Sequence, residues 1–265
     1  MKLDYWSKRT AKAQDALTRK NVKEVEKQLS KYYSQTMRNC ISQFEATYNK
    51  LLATVEKGKE PTPADLYKLD TYWQLQNQLR QELLKLGNRQ EALYSRAFVE
   101  QFQSIYNALA MPSDDSFSTL ALDTVEQMIR EIWCADGQSW SSRIWKNTDI
   151  LAGELNDSLI DCVLAGKTTR QLKNILQERF GVSYNRADAL VRTEMAHIQT
   201  QSAQKRYEDY GIKQVEVFVD EDEKTCPICS KHEGERFFIT EKMPIPFHPR
   251  CRCCVIPVIE GLDTN

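Results

Sequence analysis

The sequence has little glycine and no long apolar run, and each shortage narrows the range of possible folds. Nine of the 265 residues are glycine, and only two of these precede position 130. Because a turn-rich β fold needs many more such residues, the scarcity favours long helices. No run approaches the roughly eighteen apolar residues of a membrane span, and the N-terminus lacks the apolar segment of a signal peptide. We therefore expect a protein that is made in a cytoplasm and does not span a membrane.

The sequence also has no excess of positive or negative charge, so the chain as a whole is not attracted to nucleic acid. The formal net charge is −1, with 36 Lys and Arg against 37 Asp and Glu. The first thirty residues differ, because they hold eight Lys and Arg against four Asp and Glu. This mildly basic arm is either a solvated helix face or a sequence-independent contact to double-stranded DNA. The candidate DNA contacts are Lys8, Arg9, Lys12, Arg19 and Lys20.

Helical spacing of apolar residues continues from residue 4 to residue 210. Residues 4–57 predict one long helix or two in line, and the stretch 58–63 is the first break. We expect the next helix to begin after a Thr62 cap, to bury Trp73 and to end at Gly87. Further helices are predicted at 89–109, from 120 through Trp133 after a turn at 112–116, and up to Leu164. A short helix ending at Gly181 and a last long helix at 184–210, capped by Ser183, complete the series.

After Gly211 the pattern changes to alternation, which predicts strands. The predicted strands lie at 215–219, 237–239 and 255–258, with an acidic turn at 220–223. The fold class is therefore α+β: a long N-terminal α-helical region followed by a small C-terminal antiparallel β unit with a Cys/His zinc-knuckle-like site. So small a sheet buries little apolar area, so it must pack on the preceding helix or be held by a metal.

Five of the eight cysteines and two of the three histidines lie within residues 225–257. They form Cys226-x2-Cys229 and His248-x2-Cys251-x-Cys253, the spacing of a tetrahedral zinc site. Five candidates for four positions leave one spare, which we expect to be His248 or Cys251 because Cys253 closes the motif. A closed site of this kind is structural. The alternatives are disulfides or packed cysteines and, less well supported, a catalytic zinc or a thiol nucleophile.

Other polar and aromatic residues have simpler interpretations. Three tryptophans between positions 133 and 145 predict core packing rather than ligand binding. By spacing alone, Arg192 and Glu194 are solvated charges on the last helix, and His197 beside them is an interfacial histidine. A metal-dependent hydrolase or nuclease would need a free carboxylate or histidine near an open zinc position, for which Glu194, His197 and His232 are the candidates.

The combination of these motifs resembles the phage head morphogenesis family, the minor head proteins of tailed phages named after protein F of phage Mu. The strongest part is His248-Pro-x-Cys-Arg-Cys253 combined with Cys226-x2-Cys229 and an upstream Arg-Thr-Glu at 192–194. Weaker parts are the segments at 5–9, 133–137, 143–145 and 166–168. The resemblance divides the chain into an extended helical region, 1–110, and a Mu F-like domain, 111–265, with helices at 116–210 and the β/Cys-His unit at 212–260. Its structural motif consists of Arg192, Thr193, Glu194, Asp220, Gly234, Pro249 and Arg252.

This resemblance implies a non-enzymatic minor capsid protein of the virion. Its expected partners are the portal protein and capsid or scaffold subunits, with a possible DNA contact during packaging or ejection, and it would lie in the host cytoplasm before assembly. Arg192 and Glu194 become structural links between the helix and the knuckle. Some relatives carry fused toxin or enzyme domains, and with eight residues after Pro257 we expect none here. A zinc-knuckle nucleic-acid-binding protein is the alternative, since Lys242, Arg250 and Arg252 lie near the site.

Overall fold

The computed structural model describes residues 5–54, 62–110, 120–219 and 226–259. The predicted turns at 112–116 and 220–223, most of the break at 58–63, and Asp220 lie outside these residues. The chain divides into two compact units. Unit 1 comprises Met1–Val25, Tyr94–Trp140 and Ala189–Asn265, and unit 2 comprises Glu26–Leu93 and Ser141–Asp188. The predicted domain boundary near residue 110 stays a prediction.

Helices make up most of the described chain, as the sequence predicts. Their bounds are α1 Tyr5–Thr54, α2 Pro63–Tyr67, α3 Asp70–Ala108, α4 Leu122–Ile129, α5 Trp140–Leu164, α6 Thr169–Asp209 and α7 Pro227–Ser230. The single helix α1 confirms the long N-terminal helix. Within the described ranges, no helix is both long and apolar enough to cross a bilayer.

Helix α3 passes through Gly87, so the helix end predicted there is wrong. A Cβ atom built on Gly87 would lie 2.6 Å from Cζ3 of the Trp145 ring in α5. The glycine therefore allows close approach of an indole to the helix, which is a different use of the residue from a helix stop. Trp145 also donates its indole N–H to Oε2 of Glu91, at 3.2 Å. Helices α3 and α5 of unit 2 therefore pack closely where Trp145 faces Gly87.

Helix α6 likewise passes through Gly181 and Ser183, so the predicted division there is wrong. Ser183 is buried within the helix and does not cap it. Its Oγ lies 3.2 Å from the Tyr33 hydroxyl of α1. The same hydroxyl accepts hydrogen bonds from the amides of Gln90, at 3.3 Å, and Asn147, at 3.1 Å. Ser183 thus belongs to a buried polar cluster of unit 2, and tertiary contacts override its capping preference.

The cap predicted at the start of α2 is confirmed, but the predicted burial of one aromatic residue at the start of α3 is wrong. Thr62 caps α2 as predicted and also forms a capping box with Asp65, in which the Thr62 N–H donates to the Asp65 carboxylate at 3.0 Å. Trp73 was predicted to be buried but is 51% exposed. Tyr72 occupies the buried position instead, and the Trp73 indole N–H donates to the Tyr67 carbonyl at 2.8 Å.

The C-terminal residues form a three-stranded antiparallel sheet, as predicted. Its strands are β1 Gln214–Phe218, β2 Arg236–Phe238 and β3 Cys254–Val258, in the order β2-β1-β3. Val215, Val217 and Val255 are fully buried. They share a hydrophobic core of unit 1 with Tyr207 of α6 and with three cysteines, Cys229, Cys251 and Cys253. The sheet therefore packs on α6 and places the cysteine-bearing loops at its edge.

Candidate metal centre

The first half of the centre is a tight turn that begins at Cys226. Helix α7 begins directly after it with Pro227, whose missing N–H suits the first helical position. The backbone N–H of Cys229 donates to Cys226 Sγ at 3.4 Å. This hydrogen bond is a helix cap in which a thiol replaces the usual hydroxyl or carboxylate. The turn brings both sulfurs to the same side of the chain.

The second half is the turn from His248 to Cys251. The Cys251 N–H donates to the His248 carbonyl at 3.2 Å. Arg250 within this turn has φ +64°, in the left-handed region that residues other than glycine rarely adopt. Nδ1 of His248 lies 2.7 Å from the Pro249 carbonyl, to which it donates as Nδ1–H. Nε2 is then the ring atom left free to bind a metal.

These two turns bring all five predicted ligands together, and we call this set the cysteine–histidine cluster: Cys226, Cys229, His248, Cys251 and Cys253. Nε2 of His248 lies 3.1 Å from Cys226 Sγ and 3.0 Å from Cys229 Sγ. Cys229 Sγ lies 3.8 Å from Cys251 Sγ. The potential ligand atoms fall into two groups of three, Cys226–Cys229–His248 and Cys229–Cys251–Cys253. Cys229 belongs to both groups and is the centre of the cluster.

Hydrogen bonds and burial separate the four thiols into two kinds. The hydrogen bond with Cys253 lowers the pKa of Cys251 to about 5, and the same bond raises the pKa of Cys253. The backbone N–H of Cys229 lowers the pKa of Cys226. Burial raises the pKa of Cys229 to about 12. The pKa values of Cys226 and Cys251 are thus lowered, and those of Cys229 and Cys253 are raised.

The predicted structural motif surrounds the cluster in part. Thr193 accepts a hydrogen bond from the Arg250 N–H at 3.0 Å, which joins α6 to the His248 turn. Gly234 has φ +75°, and its N–H donates to the Val217 carbonyl at 3.0 Å. Its left-handed conformation requires glycine at the end of the hairpin between β1 and β2. Arg192 and Arg252 are half-buried.

One set of contacts was not predictable from the sequence. Glu194 is buried and accepts a hydrogen bond from the Trp133 indole N–H at 2.9 Å. The Trp133 ring stacks on His197 with centroids 4.4 Å apart, and His197 lies beside the backbone of Ile245 on the lining of the same cavity. Burial lowers the pKa of His197 to about 4, so the ring is neutral at physiological pH. No periodicity or motif links positions 133, 197 and 245, so only the fold shows this connection.

The three candidates for a hydrolytic site make contacts other than metal ligation. The Glu194 carboxylate is engaged with Trp133. Nδ1 of His232 lies 2.6 Å from the Glu235 carboxylate, and its ring stacks on Phe247. Among the described residues, neither group of potential metal ligands includes Glu194, His197 or His232.

The five predicted DNA contacts all lie on α1. Lys8, Arg9, Lys12, Arg19 and Lys20 are exposed. Arg19 forms an ion pair with Asp15 at 2.8 Å. At 100° per residue, the five positions fall within an arc of about 120° of the helix surface. They therefore form one basic face, which we call the basic face of α1.

Comparison with known proteins identifies the segment that carries the cluster. Residues 153–256 match the family described as "Phage Mu protein F like protein". The matched segment includes α6, the sheet strands β1 and β2, and every residue of the cysteine–histidine cluster. The family match thus supports the predicted resemblance on the residues that the prediction emphasised.

A curated relative adds a second, more distant similarity. The NAD(+)–arginine ADP-ribosyltransferase EFV of Enterococcus faecalis (strain ATCC 700802 / V583) is 26% identical over 149 residues, which cover 48% of this chain and 30% of the relative. The chain therefore spans less than a third of that protein's length. No solved structure matches the chain.

Proposed function

We propose that this protein, whose residues 153–256 match the Phage Mu protein F like family, is a structural component of a phage head that acts in procapsid assembly at or near the portal. The family match carries the proposal, because it covers the whole cysteine–histidine cluster and the helix on which it packs. Head morphogenesis and a place in the virion follow from the family. The portal and the capsid or scaffold subunits are the partners we propose.

A decisive test uses the phage or prophage that encodes the protein. Deleting the gene should stop the production of filled heads, and expression of the wild-type chain should restore it. Purified heads should contain the chain, and portal protein should co-purify with it before assembly. Heads of normal number, content and infectivity in the deletion strain would refute the proposal.

We further propose that the cysteine–histidine cluster holds one structural zinc ion. Two sulfurs each about 2.3 Å from zinc at the tetrahedral angle lie about 3.8 Å apart, which equals the Cys229–Cys251 separation of 3.8 Å. His248 supports the same assignment, since its Nδ1 is held by a carbonyl and its Nε2 points to two sulfurs. Four N and S ligands would leave zinc no open position, so the ion would stabilise the fold and not catalyse a reaction.

Cys226, Cys229 and His248 form one group of potential ligands, and Cys251 or Cys253 would complete the set. This assignment revises the prediction from sequence, because it makes His248 a ligand and leaves Cys251 or Cys253 as the spare residue. Metal analysis of protein purified without chelator should give one zinc per chain. The Co²⁺-loaded protein should show the intense near-ultraviolet absorption of thiolate–metal bonds, which scales with the number of bound sulfurs. No bound zinc, together with paired sulfurs by thiol counting, would replace the zinc site by disulfides.

A second candidate function, sequence-independent binding of double-stranded DNA, is favoured by the basic face of α1. Five exposed cations on one arc of a helix can follow phosphates along a duplex. Binding of a random-sequence duplex should weaken about 10- to 1000-fold between 50 and 200 mM salt, depending on how many phosphates are neutralised. Lys8→Glu and Lys12→Glu together should reduce both affinity and salt dependence. Equal DNA binding by this variant and the wild-type chain would show that the basic face of α1 does not contact DNA.

A further inference from the structure

The chain segment that carries His248 is attached to α6 on both sides of the histidine. We propose that Thr193 and His197 are positioning residues that hold His248 in the orientation needed to bind the metal. This inference rests on the zinc site proposed above. It assigns a role to two α6 residues that do not belong to the cysteine–histidine cluster.

Residues 245–250 lie between β2 and β3 and belong to no helix or strand. Their conformation therefore depends on contacts made by individual side chains rather than on a ladder of backbone hydrogen bonds. Arg250 in particular adopts a left-handed conformation that is unfavourable for a residue with a Cβ atom. Such a conformation persists only where neighbouring groups hold it.

Thr193 provides the contact on the C-terminal side of His248. Its hydroxyl donates to the Ala189 carbonyl of its own helix at 2.6 Å. With the hydroxyl proton directed there, Oγ1 accepts the Arg250 N–H at 3.0 Å. The helix thus orients the Thr193 hydroxyl, and this hydroxyl holds Arg250 in its left-handed conformation.

His197 provides the contact on the N-terminal side. The ring lies beside the backbone of Ile245, and its Nδ1 has no hydrogen-bond partner among the described residues. Trp133 stacks on the ring and is itself held by the buried Glu194 carboxylate. The imidazole is thus fixed by stacking on one face and placed against Ile245.

The two contacts act on one short segment because Thr193 and His197 are four residues apart on α6 and lie on the same helix face. Their partners, Ile245 and Arg250, lie three residues before and two residues after His248. A free segment would have to be ordered when the metal binds, which lowers affinity. A segment already held at both ends presents His248 Nε2 to the two sulfurs before the metal arrives.

The test measures Zn²⁺ affinity of full-length variants by competition with a chelating dye. Thr193→Val keeps the shape of the side chain and removes the hydroxyl, so we expect a loss of about tenfold to a hundredfold in Zn²⁺ affinity. Thr193→Ser keeps the hydroxyl and should bind Zn²⁺ with wild-type affinity. Thr200→Val is the matched control, since the Thr200 hydroxyl donates to the Ala196 carbonyl of the same helix. His197→Phe keeps a stacking ring, loses the polar ring nitrogens that face Ile245, and should weaken Zn²⁺ binding to a similar degree.

Two further measurements separate positioning from general destabilisation. Hydrogen exchange should show faster exchange of residues 245–251 in Thr193→Val, with α6 unchanged. The Co²⁺-loaded variant should keep the wild-type thiolate absorption, since no ligand is lost. Wild-type Zn²⁺ affinity in both Thr193→Val and His197→Phe would overturn the inference and leave the zinc site intact. A wild-type chain that takes up no Zn²⁺ would instead refute the zinc site, and the inference with it.

Discussion

Unit 2 and the sheet of unit 1 bury their interiors in different ways. Unit 2 buries large side chains between long helices, among them Phe44, Tyr48 and Leu83. The sheet has strands of five, three and five residues and buries valines beside cysteines. Burial of apolar area scales with such side chains, so the helical unit stabilises itself far more than the sheet does. A small sheet of this kind therefore has more to gain than a helical unit from the cross-link that the proposed zinc site would supply.

The largest expected effect is that of Cys229→Ser, because Cys229 belongs to both groups of potential ligands. Loss of a structural zinc removes a stabilisation of roughly 10 kcal/mol or more. Hydrogen exchange of β1 and β3 should therefore become fast, while the helices of unit 2 stay protected. Cys134→Ser, outside the cluster, is the control. Protected strands in Cys229→Ser would show that the sheet is stable without its cross-link and would break the comparison.

A smaller effect concerns the ring of His197. Its pKa of about 4 in the folded protein lies below the value of about 6.5 in an unfolded chain. The neutral ring therefore contributes stability that is present above pH 6.5 and is lost as the pH falls through about 4, amounting to at most about 3 kcal/mol. An NMR titration of the His197 ring protons should give a midpoint near pH 4. A midpoint near 6.5 would mean that the ring is solvated, so that unit 1 is looser at this point than the structure shows.

A third prediction tests the stability of unit 2 through the buried polar cluster around Tyr33. Tyr33→Phe removes the hydroxyl that accepts from Gln90 and Asn147, so each buried amide loses one hydrogen bond, although Asn147 keeps its bond to the Ser183 carbonyl. We expect a loss of about 1–3 kcal/mol in the unfolding free energy of unit 2, with zinc content unchanged. Tyr32→Phe, the neighbouring half-buried tyrosine, serves as the control. Urea denaturation followed by far-ultraviolet circular dichroism provides the measurement, and equal midpoints for the two variants would count against the cluster.

The smallest effect compares two glycines within the helices of unit 2. Gly87→Ala should lose about 1 kcal/mol, because steric conflict with the rigid Trp145 ring exceeds the gain in helix propensity. Gly153→Ala meets nothing within 4 Å and should gain about 0.5–1 kcal/mol. Thermal unfolding should shift in opposite directions for the two variants. Shifts in the same direction would show that packing against Trp145 is not tight.

The features that follow from local pattern were predictable, and those that depend on a distant partner were not. Periodicity correctly predicted α1 and the three strands, and the cysteine spacing correctly predicted which side chains meet. Gly87 and Ser183 were misread because each has a partner far along the sequence, Trp145 and Tyr33 respectively. Trp73 was misread because the neighbouring Tyr72 occupies the buried position. The connection between His197 and Ile245 depends wholly on tertiary structure, and no local signal could predict it.

The strand order has a consequence for how this protein folds as it leaves the ribosome. The central strand β1 is made first, and its partners β2 and β3 follow later in the chain. Until both have emerged, β1 offers unpaired backbone groups and two apolar valines to any neighbouring nascent chain, which is an aggregation hazard. The loop that joins β1 to β3 contains the cysteine–histidine cluster, so a zinc ion bound there as proposed above would shorten the loop that must close. With such a site, metal supply during synthesis would set how long the exposed strand persists.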